Sequence, residues 1–288
     1  MWFSPKYSHV LKEQELESFE RVIGSEHGVR LRSLQERENW FFPASAATIG
    51  TSERDFPKAS TAGLYLKKHR IRLRQEPRLS AAQAARSDGG PPPGTSPGVL
   101  EAYYAVRLPE FGIPTMPVVA FGQRTSPGGY QESFFLSEEL VGFTPLDLFL
   151  AQESPARAGE GRATLQRRRS LVKAVADLAR RLHAAGFSHR DFYTCHIFVR
   201  ESSFGKFELR LIDLQRIQEI PYPGERWLAK DLSQLWYSTP EGWLSCHERL
   251  RFLIRYRGNG QLLPADARFA RRIAFRVWWM NLKSGAYP

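Results

Sequence analysis

Short apolar runs dominate the first half of the chain, and helical periods dominate the second. Val29-Arg30-Leu31, Asn39 to Phe42, Gly63 to Arg70, Val118 to Gly122 and Ser133 to Leu140 read as strands. Alternation is clearest in Gly63-Leu64-Tyr65-Leu66-Lys67-Lys68. An acidic segment from Lys12 to Val22 reads as helical, as does Val99 to Leu108, where Leu100, Tyr104 and Leu108 share a face. A polar link, Val141 to Pro145, precedes a second part that opens with Leu146 to Leu150. There the pattern predicts a long helix from Thr164 to Ala185, because Leu171, Val175, Leu178 and Leu182 step by four, three and four. Gly186 is placed to end it. Two further helices are predicted, from Trp243 to Tyr256 and from Asp266 to Lys283, the second aligning Phe269, Ile273, Val277 and Met280. Between these elements, Pro43 to Ala62, about Gln75 to Gly98 and Arg157 to Arg162 are small, polar or charged, and read as loops.

Composition narrows the class. An apolar content of 42% is ordinary for a globular chain of 288 residues. No apolar stretch approaches the length of a membrane-spanning helix, so none is expected. Met1-Trp2-Phe3-Ser4-Pro5-Lys6 lacks the charged-then-apolar pattern of a secretory signal. Cys195 and Cys246 make neither a disulfide framework nor a zinc site, which points to a reducing, cytoplasmic setting. The formal charge of +11 favours an anionic partner: nucleic acid, an anionic membrane face or a phosphorylated ligand. No nucleic-acid-binding motif is visible, and nucleic acid is not expected. The run Arg167-Arg168-Arg169 reads as a solvated face.

The chemistry concentrates in Gly186 to Val199, answered by Leu211-Ile212-Asp213-Leu214-Gln215. Asp191 sits in a polar loop before one apolar strand, and Asp213 ends the next. Two carboxylates so placed suit phosphoryl transfer: one accepts a hydroxyl proton, the other holds a divalent cation on a nucleotide. His189-Arg190-Asp191 matches the protein-kinase catalytic signature, and Asp213 falls where its metal-binding Asp belongs. His196 stands where Asn is expected, and Leu214-Gln215 replace Phe-Gly. Gly24, Gly28 and Gly50 are too loosely spaced for a glycine-rich phosphate loop.

His189-Arg190-Asp191, Tyr193, Cys195-His196 and then Ile212-Asp213-Leu214-x-Arg216 together resemble the lipopolysaccharide kinase family. That resemblance implies a two-lobed, protein-kinase-like α+β fold, with a small β-rich lobe over residues 1–140 and a larger helical lobe over 141–288. It implies ATP-dependent phosphorylation of a sugar in the lipopolysaccharide inner core, heptose or Kdo, with the heptose branch nearest. Asp191 would act on the acceptor hydroxyl and Asp213 would hold Mg2+. His196 would take the second metal position, with its role open between weak metal contact and loop support. Lys67, oriented by Glu101, would neutralise nucleotide phosphates, and backbone groups from Glu138 to Leu140 would meet adenine. His183 reads as structural, and Asp231, at the start of a helix, as a brace for the catalytic loop. Only about 18 residues separate Asp213 from Asp231, too few for the peptide-seating segment of protein kinases, so a small acceptor is favoured. The implied partner is a core or lipid-linked sugar, met at the cytoplasmic face of the inner membrane. A kinase of another small-molecule or protein acceptor, or a catalytically silent binding module, stay open. So does the last helix: Arg268, Arg271, Arg272, Arg276 and Lys283 with Trp278 and Trp279 read either as the outer face of a core-packed helix or as an interfacial surface.

Overall fold

The computed structural model describes residues 1–44, 62–73, 91, 94–153, 161–203, 205–220 and 224–284. Most of the three expected loops, 43–62, 75–98 and 157–162, lies outside these residues. The chain divides into two compact units, Met1–Arg107 with Met116–Val141, and Leu108–Thr115 with Gly142–Pro288.

In the first unit the elements run β1 (Trp2–Phe3), α1 (Ser8–Glu13), α2 (Phe19–Gly24), β2 (Val29–Leu34), β3 (Arg37–Phe42), β4 (Leu64–Arg72), α3 (Pro97–Arg107), β5 (Val118–Ser126) and β6 (Tyr130–Glu138). The strands form one sheet in the order β1-β5-β6-β4-β3-β2, every pair antiparallel. Leu11, Leu16, Phe19 and Val22 pack with the inward side chains Trp40, Phe42, Leu64, Leu66, Val119, Phe134 and Leu136. The single helix expected from Lys12 to Val22 is instead two short ones. Glu15 takes a left-handed φ of 52°, which stops α1, and the Ser18 hydroxyl accepts the Arg21 N–H at 3.2 Å, which restarts the helix as α2. α3 lies tight against β6: a Cβ on Gly98 would stand 2.8 Å from the Phe134 carbonyl carbon, so only glycine allows this approach.

The second unit holds β7 (Thr144–Pro145), α4 (Leu146–Gln152), α5 (Arg162–Ala184), β8 (Phe187–Ser188), β9 (Ile197–Ser203), β10 (Lys206–Leu211), β11 (Gln218–Glu219), α6 (Glu225–Ser238), α7 (Cys246–Arg257) and α8 (Pro264–Lys283). α5 buries Leu171, Val175, Leu178 and Leu182, the face its period predicts. Gly186 follows it with φ 83°, a conformation that glycine adopts without a steric penalty. The arginine run is not a solvated face. Arg168 is buried, donates to the Trp243 carbonyl at 2.8 Å and lies 3.7 Å from Glu248. Arg167 donates to Glu201 at 2.8 Å and pairs with Glu153 at 2.7 Å. Carboxylates from β9, α7 and the residue just past α4 thus neutralise a stretch whose sequence shows only its own charge. The hairpin β9–β10 and the strand β7 form one small sheet, and β8 with β11 another.

Candidate active site

Alternation along β4 sends Lys67 and Lys68 to opposite faces of the sheet. Lys67 Nζ reaches Glu101 Oε1 on α3 at 2.6 Å, and the Glu101 side chain is fully buried. Lys68 is committed elsewhere. Its Nζ donates to the carbonyls of Ile23 and Ser25 at 3.0 and 2.5 Å and stands 4.9 Å from the Trp40 ring centre. Burial lowers its pKa against the opposing pull of Glu38 and Glu26. At the end of β6, Glu138 donates its N–H to the Pro117 carbonyl at 3.0 Å, and its carboxylate accepts the Tyr7 hydroxyl at 2.7 Å. Burial and that carboxylate push the Tyr7 phenol well up. Of the two positions expected to meet adenine, Leu140 keeps its N–H without a partner among the described residues.

In the second unit one face of α6 anchors the loop that carries Asp191. Asp231 accepts from the Ser188 hydroxyl at 2.9 Å, the His189 N–H at 2.7 Å and the Arg190 N–H at 2.9 Å. Gln234 accepts the Phe192 N–H at 3.1 Å and donates to the Arg190 carbonyl at 2.9 Å. Ser238 accepts the Thr194 N–H at 2.9 Å. Positions 231, 234 and 238 step by three and four, so they share a helix face. Asp231 lies inside α6, not at its start, and the helix begins at Glu225. His183 closes the brace, with Nε2 3.2 Å from Asp231 and Nδ1 2.8 Å from the Tyr256 hydroxyl. Held this way, Arg190 keeps a left-handed φ of 68°. His189 is buried, and burial lowers its pKa; the neutral ring donates through Nε2 to the Ile212 carbonyl at 3.0 Å.

His196 links the backbone of Asp191 to the side chain of Asp213. Its Nδ1 is 2.8 Å from the Asp191 carbonyl oxygen and its Nε2 3.5 Å from Asp213 Oδ2. Burial works against a charged ring here, but hydrogen bonds with Cys195 and the Asp191 carbonyl and the charge of Asp213 outweigh it, raising the pKa to about 9. His196 thus ties the loop to the Asp213 strand end. Asp213 itself adopts φ 57° and ψ 56°, two residues beyond the end of β10, and accepts from Gln215 Nε2 at 3.2 Å. Among the described residues no three His, Cys, Asp or Glu cluster as a metal cage. Magnesium on a nucleotide needs none, since one or two carboxylates with phosphates and water complete its shell. The Asp213 carboxylate, a hard oxygen donor with 15% side-chain exposure, fits that requirement.

Three basic residues around Asp191 have no role in the sequence reading. Arg216, in the 3-10 turn Leu214–Arg216, donates from Nη1 to both Asp191 oxygens at 2.9 and 2.8 Å. Arg190 stands over Trp227, 5.6 Å from a ring centre. Lys230 has its pKa lowered by burial and then by the charges of Arg190 and Arg216. The spacing Asp213-x-x-Arg216 was visible in the motif. The helical spacing of Gln234 and Ser238 behind Asp231 was the signal available for the loop anchors.

A loop carboxylate braced from a helix, a second carboxylate past a hairpin, and a sheet-borne lysine paired to a helix glutamate define a kinase-like protein of mixed helix and sheet. The chain belongs to the lipopolysaccharide kinase (Kdo/WaaP) family, whose model matches residues 99–256, more than half of its length. It is similar to the lipopolysaccharide core heptose(I) kinase WaaP of Pseudomonas aeruginosa, 37% identical over 163 residues, covering 55% of this chain and 59% of that protein. It is also similar to the Escherichia coli protein of the same name, 33% identical over 153 residues, covering 52% and 56%. The chain thus spans under two thirds of the length of the curated relatives it matches. A solved structure, WaaP in complex with acyl carrier protein, superposes with a TM-score of 0.63 at 26% identity, over 98% of both chains.

Proposed function

We propose that the protein transfers the γ-phosphoryl group of ATP to a hydroxyl of a lipopolysaccharide inner-core heptose. The observation that carries this reading is the His196 link, which fixes the Asp191 loop and the Asp213 carboxylate to each other. In the transfer, the acceptor oxygen bonds to the γ-phosphorus as the bond from phosphorus to the β,γ-bridging oxygen breaks, and ADP leaves. Asp191 receives the hydroxyl proton. Its two oxygens are engaged by Arg216, whose side chain is 51% exposed; turning away from Asp191 would free the base and bring a guanidinium to the phosphoryl oxygens. Asp213 would hold Mg2+, which supplies charge neutralisation on the phosphates. Lys67, aligned by Glu101, would hold the nucleotide phosphates, and the Leu140 N–H would meet the base. β11 pairs with β8, Gln218 opposite Ser188, so the segment after Asp213 folds back on the catalytic loop. That supports a compact sugar acceptor over a peptide. The relatives' names support heptose, and an acyl carrier protein is a partner carried over from the solved neighbour. A cytoplasmic location, at the membrane face where a lipid-linked core is met, is part of the same proposal. Among the described residues no helix is long and apolar enough to cross a membrane.

Core oligosaccharide incubated with ATP, Mg2+ and the protein should gain one phosphate on heptose by mass spectrometry. Nucleotide binding without transfer to heptose or Kdo would leave a silent module or another acceptor in its place.

The lysine pair gives a second test. Lys67→Ala should lower kcat/KM for the nucleotide by about ten- to a hundredfold, the loss of one charge-assisted contact. Lys68→Ala should instead lower the unfolding temperature, with kcat/KM of the folded protein close to wild type. The reverse pattern would show that the nucleotide meets the other face of the sheet.

A further inference from the structure

α8 carries two apolar stripes. Phe269 and Ile273 are buried, and this face packs toward α6. A second stripe, Phe275, Trp278, Trp279 and Leu282, has the spacing i, i+3, i+4, i+7 and points away from the first. These four side chains are 62%, 44%, 45% and 49% exposed. The aromatic rings lie edge by edge, with centres 5.7 Å apart between Phe275 and Trp278 and 6.2 Å between Trp278 and Trp279.

The charge on the helix is as one-sided. From residue 267 onward it carries Arg268, Arg271, Arg272, Arg276 and Lys283 and no acidic residue. Its one carboxylate, Asp266, is buried and bound to Arg257 at 2.7 Å. Arg272 comes within 3.8 Å of Glu225, and Lys283 stands over Trp279. Arg268, Arg271 and Arg276 meet no acidic group among the described residues. By helical spacing Arg268 and Arg271 lie in line with the aromatic stripe, and Arg272, Arg276 and Lys283 flank it on one side.

We propose that this face of α8 docks on an anionic lipid surface, with the aromatic stripe in the headgroup region and the arginines on lipid phosphates. Exposed apolar patches rimmed by charge mark interaction surfaces, and Trp beside Arg suits the interface of a bilayer, where one end of the ring is apolar and the other wet. A second copy of the chain fits poorly, because pairing α8 with itself would set five cationic side chains against five. An anionic bilayer meets the charge and the aromatic stripe at once. The surface stands on its own observations and is tested without nucleotide or sugar.

The full chain should sediment with vesicles containing phosphatidylglycerol at low salt. Binding should be about tenfold or more weaker to phosphatidylcholine vesicles, and weaker again at high salt. Arg271→Glu with Arg276→Glu should weaken binding about tenfold or more. Trp278→Ser with Trp279→Ser should do the same at low salt, which a purely electrostatic contact would not show. Circular dichroism and the unfolding temperature of both variants should match wild type, since all four positions are exposed. Equal binding to both vesicles, no binding at low salt, or wild-type binding by the tryptophan variant would overturn the proposal. So would the same variants losing an acidic protein, such as acyl carrier protein, while the wild type ignores vesicles.

Discussion

Asp213→Asn is expected to abolish phosphoryl transfer in a protein that stays folded. The position demands a left-handed backbone, which asparagine tolerates as well as aspartate does. The substitution keeps size and backbone and removes the negative charge that a cation needs. The unfolding temperature should therefore stay within a few degrees of wild type. Asp191→Asn should fail differently, with turnover down by about 10²- to 10⁴-fold, the range for a lost acid–base group, and nucleotide affinity retained. Single-turnover transfer and nucleotide titration on the same preparations separate the two. Wild-type turnover by the Asp213 variant would remove that carboxylate from the mechanism.

The largest effect on stability is expected at Asp231. Asp231→Ala leaves the His189 and Arg190 N–H groups and the Ser188 hydroxyl without their acceptor in a buried site. Removing one member of a buried, hydrogen-bonded charged group costs about 3–5 kcal/mol. Chemical denaturation of wild type and variant reads that difference directly. Its pH dependence is fixed in sign. Burial alone would raise the Asp231 pKa, but the hydrogen bond and charge of His183, with the Ser188 hydroxyl, bring it below its ordinary value. A depressed folded pKa gives stability that is complete above about pH 4 and is lost as pH falls through the folded value. The gap between wild type and Asp231→Ala should therefore narrow in acid and hold from neutral pH upward. A gap that persists unchanged in acid would show that the carboxylate charge contributes nothing.

The parts of this chain that were legible in its sequence are those where chemistry or period leaves few choices. The α5 helix was readable because apolar residues stepping by four, three and four over about three turns fit a helix and not a strand, and the Lys67 face because alternation in β4 separates neighbouring lysines. The His189-Arg190-Asp191 loop was readable because its order matches a known catalytic signature. What escaped depends on contacts far away in the chain. Glu15 breaks the first helix in a conformation that glutamate does not advertise. Arg168 looks solvated until the Trp243 carbonyl and Glu248 are brought to it. Arg216 was part of the motif, yet its grip on Asp191 requires the turn after β10 to close toward the loop. Lys230 sits beside a braced aspartate, and its cationic surroundings exist only in the fold.

The contacts of His183 join α5, α6 and α7 through Asp231 and Tyr256. Burial keeps the Tyr256 phenol protonated and able to donate to the ring. That arrangement makes the three side chains a single heritable unit. Replacing His183 strands a hydrogen-bonding group on each of the other two, and replacing either of those strands one ring nitrogen of His183, so changes at these positions are coupled through the histidine. The effect of any change should depend strongly on which of the other two has already changed. A relative that has lost the tyrosine is expected to carry a different residue at the histidine as well, and to hold its catalytic loop by other means. The support of the motif thus lies outside its own stretch of sequence: Asp231, 40 positions beyond Asp191, holds the loop, and His183 links it to Tyr256, 65 positions beyond.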